Sequence, residues 1–390
     1  MVNQVPNLGF LTIINEQEAI PHITDLLDRC QQQLGFTIDP EFVGWNAVWH
    51  ELVNISIYHR DIHVAEVGTT WLESLVAMNA LRPFSPTEIA RLGGKSAHLP
   101  ITWEGTSLNG QVWGVPLRSD VRVIWYWKDM LEEAGVAPDT AFAGISNMQV
   151  TLEKLKSVVD TPLGISTAAG DPNSIQTLAT WLWAFGADFV TPKCDKVLLL
   201  EPEALEALRA YFGLYCYMPK DSIYFTQRNV AAIFAGPWML STFSRLGFSD
   251  EEFSRIGVAV PPGPPFVGGT VLSIWQHTAR SRLVDNAFKF IEFITQPEVQ
   301  IEYSPHSPTR QEAWDVLSKR GSPYYKTMRK ALAMGRSFPA VPLWGMVEEK
   351  LKTSISLIWK DLLTNPDTNV DLAIEKYLEP TVKRLNLSLK

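Results

Sequence analysis

The sequence alternates short apolar runs with longer stretches in which apolar residues recur every three or four positions. The run "LGFLTII" predicts a strand at residues 8–14. Residues 16–34 then carry Ile20, Ile23 and Leu27 on one stripe of a predicted helix. The runs "FTIDPEFVGW" and "DIHVAEVG" predict further strands, and a helix is predicted at residues 72–79. Because strands that alternate with helices usually pair in parallel beneath those helices, the pattern predicts an α/β fold.

Length and composition narrow the class of protein. A chain of 390 residues is too long for one ordinary core, so two domains are expected. With 46% hydrophobic and 19% charged residues, it can build large cores and is not a disordered chain. A net charge of −8 repels phosphate backbones and disfavours nucleic-acid binding. No apolar stretch approaches the roughly 18 residues of a membrane span.

The ends and cysteines of the chain leave its compartment open. The segment "MVNQVPNLGFLTIIN" has no basic region followed by a long apolar stretch, so no export signal is visible. The chain is therefore either cytoplasmic or a mature form from which the signal is missing. Three cysteines do not form a disulfide framework; Cys194 and Cys216 can pair in an oxidising compartment, but buried free thiols are the favoured interpretation.

Motifs for catalysis and cofactors are not found. The sequence contains no HExxH, no CxxC pair, no phosphate-binding glycine loop and no G-x-S-x-G turn. His59 and His63 have the spacing of metal ligands on a helix, but they lie in a predicted loop. We therefore expect no metal and no cofactor, and the sequence gives no positive support for an enzyme.

Tryptophan is the residue type that most suggests a function. The chain has 14 Trp against 10 Tyr and 18 Phe, and indoles combine a broad apolar face with an N–H donor. Trp238 lies in "AAIFAGPWML", where a Gly-Pro turn ends a predicted strand. A ring in that turn either fills a gap beneath a loop or presents its face to a ligand.

A second feature, "IGVAVPPGPPFVGGT" at residues 256–270, interrupts the alternating pattern. Its four prolines fix the backbone, and its glycine pair permits close approach of another group. We interpret it as a crossing between domains.

Several stretches in order resemble one family. "VWGVPLRSDVRVIWYWKDMLEEAGV", "AAIFAGPWML", "FVGGTVLSIW", "NAFKFIEFITQPEVQIEYS" and "AVPLWGMVEEKLKTSISLIWKDLL" are similar to segments of the family-1 extracellular solute-binding proteins of carbohydrate ABC importers, which include maltose-binding proteins. The segment "ELVNISIYHRDIHVAEVG" departs from the A-G-x-x-P-D-V pattern of that family.

The resemblance implies a two-lobed periplasmic-binding-protein fold with a hinge. By position, lobe one comprises residues 1–117 and 266–308, and lobe two comprises residues 118–265 and 309–390, with the ligand cleft between them. The implied function is to capture a sugar or oligosaccharide, unaltered, and deliver it to an ABC transporter permease. A monomer located in the periplasm or at the cell surface is expected.

The resemblance also implies which residues contact the ligand. Trp238 matches the ring that the family's G-P-W turn places under a sugar, and Asp120 matches an acidic position that contacts hydroxyl groups. Trp344 lies where related members place a second stacking ring. The other candidates lie in loops that follow predicted strands or match family positions: Thr69, Trp71, Trp45, Asp171, Asn173, Gly269 and Thr270.

Each candidate has a structural alternative. Packing in a core is the alternative for the tryptophans, and a cap or turn is the alternative for Asp120. Helix capping is the alternative for Asp171 and Asn173, and the beginning of a strand for Gly269 and Thr270. Arg118 and Arg310 are candidates for contact with a hydroxyl or carboxylate group, and surface salt bridges are the favoured interpretation of both. Three other functions stay open at this point: a sensor with the same fold, an enzyme acting on glycosides, and a binding protein for a polyamine, a peptide or a phosphodiester.

Overall fold

The computed structural model describes residues 7–14, 17–168, 171–219, 225–320, 322–341 and 343–389. The chain divides into two compact units, each built from strands and helices. Unit 1 comprises Met1–Asp120 and Gly268–Gly321, and unit 2 comprises Val121–Val267 and Ser322–Lys390. The chain therefore passes from one unit to the other three times.

Strands in the described residues are numbered in chain order. They are β1 (Leu8–Ile14), β2 (Ile38–Gly44), β3 (Val64–Gly68), β4 (Leu81–Arg82), β5 (Ser107–Leu108), β6 (Gln111–Val112), β7 (Val115–Val121), β8 (Val123–Trp127), β9 (Leu163–Gly164), β10 (Ala232–Ala235), β11 (Ile256–Ala259) and β12 (Val267–Trp275).

Helices are numbered in the same way. They are α1 (Ala19–Leu34), α2 (Val48–Tyr58), α3 (Leu72–Ala77), α4 (Pro86–Arg91), α5 (Gly94–Ala97), α6 (Pro100–Glu104), α7 (Lys128–Glu133), α8 (Pro138–Ala141), α9 (Ile145–Leu155), α10 (Asn173–Ala184), α11 (Pro202–Phe212), α12 (Met239–Arg245), α13 (Asp250–Ser254), α14 (Val284–Ile294), α15 (Pro297–Tyr303), α16 (Gln311–Lys319), α17 (Pro323–Met334), α18 (Trp344–Thr364), α19 (Val370–Ala373) and α20 (Glu379–Ser388). A π-helical turn, Ile374–Leu378, joins α19 to α20, and short 3₁₀ helices lie at Thr69–Trp71, Gly213–Tyr217, Phe225–Gln227 and Gln276–Arg280.

The main sheet of unit 1 has the strand order β2-β1-β3-β12-β4, and β7 pairs with β12. Strands β2, β1 and β3 are parallel, whereas β12 runs antiparallel to β3. This sheet confirms the α/β prediction, and the strand predicted at residues 8–14 is β1.

Strand β1 is apolar along its whole length because both of its faces are covered. Leu8 and Phe10 join one cluster of buried residues, with side chains from α1 and α14. Leu11 and Ile13 join a second cluster on the other face, with side chains from α2 and α3. A parallel strand between two helical layers needs no polar face, and this explains the run "LGFLTII".

The sheet of unit 2 has the order β11-β8-β10-β9. Strand β10 is parallel to β9, and β8 is antiparallel to both of its neighbours. Every residue of β8, "VIWYW", is buried. Aromatic side chains therefore supply much of the core, with Trp125 packing on Phe243 and Tyr324.

Helix α10 is buried on all sides, because every residue from Ser174 to Trp183 is buried. Trp181 packs on Tyr211 and Phe234, whereas Trp183 packs near Phe338 and donates a hydrogen bond from Nε1 to Asp188 over 3.3 Å. The two indoles thus belong to different packing layers of unit 2.

Residues 309–321, which the sequence analysis grouped with lobe two, belong to unit 1. The Thr309 hydroxyl donates to the Pro116 carbonyl over 2.8 Å, and the Leu99 amide donates to the Thr309 carbonyl over 2.8 Å. Gln300 bonds to the Thr309 backbone as well. These buried bonds, which a linear pattern does not show, hold the segment in unit 1.

No helix in the described part of the chain combines the length and apolar character needed to cross a bilayer.

Gly9 of β1 allows the backbone of the segment before β3 to approach β1 closely. Its amide donates to Nδ1 of His63 over 3.0 Å, and an added Cβ would lie 1.8 Å from the Asp61 carbonyl oxygen.

We expect Gly9→Ala to lower the free energy of unfolding by about 1–3 kcal/mol, because the strand and the segment must separate. Urea denaturation measures the change. Gly105→Ala is the matched control, since its Cβ would meet no atom within 4 Å; equal effects of the two substitutions would contradict the close contact.

Candidate functional site

The carboxyl ends of the parallel strands in unit 1 meet at one edge of the sheet. Strand β2 leads into Trp45 there, and β3 leads into the 3₁₀ turn Thr69–Trp71. Strand β12 begins at the same edge, because Thr270 pairs with Gly68. Ligand sites of open α/β sheets lie outside the carboxyl ends of strands, so this edge is the candidate site of unit 1.

Three tryptophans form an indole cluster at this edge: Trp45, Trp49 and Trp71. The Trp71 ring centroid lies 5.7 Å from that of Trp45 and 5.9 Å from that of Trp49. Gly68 allows this packing, because an added Cβ would lie 2.9 Å from the Trp71 ring. Trp45 is 41% exposed, whereas Trp49 and Trp71 are half-buried. The cluster therefore presents an incompletely covered aromatic surface.

Thr69, at the start of the same 3₁₀ turn, is half-buried. Asp120 is also half-buried, near the end of β7. Gly269 lies beside Arg118, and Ser273 donates to the Trp113 carbonyl, so β7 runs antiparallel to β12. Asp120 consequently lies at the edge where β12 begins, and its contact with a ligand stays a prediction.

Gly269 and Thr270 have structural roles that the sequence analysis gave as the alternative. Gly269 has φ 133°, and an added Cβ would lie 2.0 Å from the Arg118 carbonyl oxygen. The Thr270 hydroxyl donates to Oε1 of Glu66 over 2.6 Å, and Thr270 is 1% exposed. The Thr270 hydroxyl is thus already hydrogen-bonded to Glu66 in the interior of unit 1.

Glu66 is the centre of a buried polar network. Oε2 accepts hydrogen bonds of 3.0 Å each from the Thr12 hydroxyl, the Ile13 amide and the Tyr303 hydroxyl. The carboxylate is fully buried, and its Oε1 lies 3.1 Å from Nε of Arg118. Burial raises the pKa of Tyr303, which keeps its hydroxyl a donor.

The two arginines interpreted as surface salt bridges are placed differently. Arg118 forms a buried ion pair with Glu66 and stacks over the Tyr303 ring, 4.7 Å from its centroid. Arg310 is half-buried and donates from Nη1 to the Leu92 carbonyl over 2.7 Å. The surface interpretation of Arg118 was wrong, because sequence does not show that its side chain turns toward the sheet, whereas a salt bridge of Arg310 stays a prediction.

The corresponding edge of unit 2 lies at the carboxyl ends of β10 and β9, which are parallel. Strand β10 leads into Trp238 at the N-cap of α12, and the segment after β9 leads to Asp171. Strand β8 begins at this edge too, because Val123 pairs with Ala235. Arg122, just before β8, therefore lies beside Trp238.

Trp238 is half-buried and has a guanidinium on its ring. Cζ of Arg122 lies 4.5 Å from the Trp238 centroid, within the range of cation–π contact. Arg122 is 4% exposed and donates a hydrogen bond to the Gln176 amide oxygen. The sequence analysis did not select Arg122; a charged residue inside the apolar run "VRVIWYW" is the signal that could have found it.

Asp171 and Asn173 occupy the beginning of α10. Oδ1 of Asp171 accepts the Asn173 amide over 2.8 Å, and the Ser166 hydroxyl donates to its other oxygen. These bonds hold the segment that enters α10, whose N-cap residue is Pro172. Oδ1 of Asn173 is buried and accepts no hydrogen bond within the described chain.

Trp344 lies in the interior of unit 2. It is 2% exposed, and its ring centroid lies 4.7 Å from Phe338 and 5.5 Å from Phe189. Trp344 was predicted to be a second stacking ring. It is instead packed in a core, because the face of α18 that carries it contacts other aromatic side chains.

Among the described residues, no group of three or more His, Cys, Asp or Glu side chains is arranged to hold a metal ion.

Two α/β units, each with aromatic and polar side chains at the carboxyl edge of its strands, define a two-lobed binding protein. The chain belongs to the bacterial extracellular solute-binding proteins, whose family model matches residues 25–311. Members of this family are binding proteins that serve ABC transporters.

Individual relatives are distant. A curated binding protein of Brucella abortus (strain 2308) is 20% identical over 342 residues, which are 83% of this chain and 81% of the relative. The sugar-binding protein MalE of Xanthomonas citri superposes with a TM-score of 0.82 at 20% identity, over 98% of this chain and 97% of MalE. UgpB of Mycobacterium tuberculosis, solved with glycerophosphocholine, has a TM-score of 0.76 at 18% identity, over 96% of this chain and 99% of UgpB. Likeness at this identity establishes the fold.

We expect Glu66→Gln to lower the free energy of unfolding by roughly 3 kcal/mol, because it leaves the Arg118 guanidinium without its carboxylate. Urea denaturation of the purified chain measures the loss. Glu41→Gln is the control, since Glu41 pairs with Arg60 at the surface and its loss is expected to cost less than about 1 kcal/mol. A Glu66 variant as stable as the control would contradict the central role of this carboxylate.

Proposed function

We propose that the chain captures a sugar or oligosaccharide and delivers it, unaltered, to the membrane permease of an ABC transporter. The observation that carries this proposal is that each unit presents an incompletely buried indole at the carboxyl edge of its strands, Trp45 with Trp71 in one and Trp238 in the other. Pyranose rings offer C–H faces that pack on indoles, and a rim of hydroxyls that needs polar partners.

The polar partners are proposed from the same edges. Asp120 and Thr69 are the acceptor and hydroxyl candidates in unit 1, and Asn173 is the amide candidate in unit 2. The buried Oδ1 of Asn173, which accepts no bond from the described residues, is suited to a ligand hydroxyl. Trp344 and Thr270 are left out of this set, because one is packed in a core and the other bonds to Glu66.

A phosphodiester is the second candidate ligand. The guanidinium of Arg122 beside Trp238 supports it, because arginine recognises phosphate oxygens. UgpB, a structural neighbour, binds glycerophosphocholine. The same positive charge disfavours a polyamine.

Membership of the family supports a location outside the cytoplasm and a role in binding. We propose a location in the periplasm or at the cell surface and a monomeric receptor without enzymatic activity. Recovery of intact ligand after prolonged incubation tests the last point, since turnover of a glycoside would contradict it.

A thermal-shift screen identifies the ligand class. The panel contains maltose, trehalose, D-tagatose, ribitol and glycerophosphocholine. A ligand present at 100 times its dissociation constant stabilises the folded chain by about 2.7 kcal/mol, which raises the melting temperature measurably. A response to the neutral sugars supports the first candidate, a response to glycerophosphocholine alone supports the second, and no response contradicts both.

Trp238→Ala is expected to lose most of the ligand-induced shift, because it removes the ring on which the ligand stacks in unit 2. The ligand-free variant is expected to fold, since the side chain is only half-buried. Phe248→Ala is the matched control: Phe248 is a half-buried aromatic residue of unit 2 that packs on Trp127, at the other end of β8. An unchanged shift in the Trp238 variant would remove this residue from the site.

A further inference from the structure

Glu73 carries a buried carboxylate with no partner. It lies in the first turn of α3 and is 6% exposed. Both of its carboxylate oxygens are buried, and neither has a hydrogen-bond partner within the described chain. Glu66, in the same unit, is also buried but accepts four hydrogen bonds. A buried polar group without a partner costs about 1–3 kcal/mol, and a charge costs more, so Glu73 destabilises the ligand-free chain.

The position of Glu73 connects it with the indole cluster. Helix α3 follows directly on the turn Thr69–Trp71. Side chains on a helix lean toward its N-terminus, so the Glu73 carboxylate leans back toward that turn. Trp71, Trp49 and Leu72 belong to the apolar cluster around this helix. The carboxylate is thus desolvated, in a residue that follows Trp71 by two positions at the start of α3.

A structural role does not account for this side chain. An acidic residue in the first turn of a helix usually interacts with exposed backbone N–H groups. The Glu73 oxygens accept no such bond. Burial raises the pKa of Glu73 to about 7, and desolvation is the sole cause, so no charged side chain of the described residues compensates the carboxylate.

We propose that Glu73 determines ligand specificity: its carboxylate accepts hydrogen bonds from two neighbouring hydroxyl groups of the sugar that packs on the indole cluster. This inference rests on the proposed function. An ionised carboxylate has two oxygens and is an acceptor only, so it fits a vicinal diol, which supplies two O–H donors. Hydrogen bonds to a charged acceptor in a site closed to water are stronger than neutral ones.

The ionised form of Glu73 binds the diol, so affinity depends on pH. Protonation below a pKa of about 7 weakens binding, because the ligand must displace the proton. The dissociation constant is expected to rise by up to about 30-fold between pH 8.5 and pH 5.5, since occupancy of the ionised form falls tenfold per pH unit below the pKa.

Glu73→Gln tests the assignment by calorimetry with whichever neutral probe gives the largest thermal shift among maltose, trehalose, D-tagatose and ribitol. We expect its affinity at pH 8 to fall roughly 10- to 100-fold and the pH dependence of affinity to disappear. We expect the ligand-free variant to be at least as stable as the parent chain, because an unpartnered carboxylate is replaced by a neutral amide of the same shape. A merely structural Glu73 would instead lower the melting temperature without moving the pH profile.

Glu104→Gln is the matched control, because it removes one negative charge from an exposed position of unit 1. Equal affinity and equal pH profiles of the Glu73 variant and the control overturn the proposal. Tighter, Glu73-dependent binding of glucosamine than of every neutral probe also overturns it, because Glu73 would then recognise a cation. Failure of all neutral probes to bind the parent chain contradicts the proposed function itself, and is thereby distinguished from failure of this inference.

Discussion

The ion pair of Glu66 with Arg118 is the interaction on which unit 1 depends most. Glu66 lies in β3, Arg118 in β7, and the carboxylate also binds groups from β1, β12 and α15. Five separate elements therefore meet at one buried charge. Each bond offsets part of the desolvation cost of the carboxylate, so the network is stable only when all elements are in place. The edge at which Trp45, Trp71 and Glu73 lie is positioned by this arrangement.

The two units present aromatic groups in different ways. Unit 1 has three indoles, of which Trp45 and Trp49 both pack on Trp71, and an apolar surface of this kind suits the C–H face of a sugar. Unit 2 has one half-buried indole under a guanidinium. The positive charge beside Trp238 attracts the hydroxyl or phosphate oxygens of a ligand that approaches the ring. Unit 2 is therefore expected to discriminate between polar and apolar ligands more strongly than unit 1.

Much of the fold was predictable because it follows from local patterns. The apolar run at residues 8–14 and the Gly-Pro-Trp turn at Trp238 are visible in the sequence and have clear physical consequences. The site was less predictable, because it depends on side chains far apart in the sequence. Arg122 acts through a ring 116 positions away (238 minus 122), and no spacing rule relates them.

The incorrect predictions from sequence have the same origin, because they concern side chains whose environment is set by residues far away in the chain. Trp344 was selected by its place in the chain, yet only the packing of Phe189 and Phe338 decides whether its ring is open. Arg118 was interpreted as a surface residue, although its guanidinium forms a buried ion pair with Glu66. Glu73 was not selected, because a carboxylate without a partner can be recognised only after every neighbour has been placed.

The strand with two apolar faces has a consequence for how the protein is made. Phe10 in β1 packs on Phe290 in α14 with ring centroids 4.7 Å apart, although 280 positions (290 minus 10) separate them in the chain. The side of the first strand that carries Phe10 is thus covered only in part, by α1, until about three quarters of the polypeptide has been translated, and the sequence separation slows the closing step. Unit 1 begins first on the ribosome but is completed late, and in that interval its first strand is a target for chaperones.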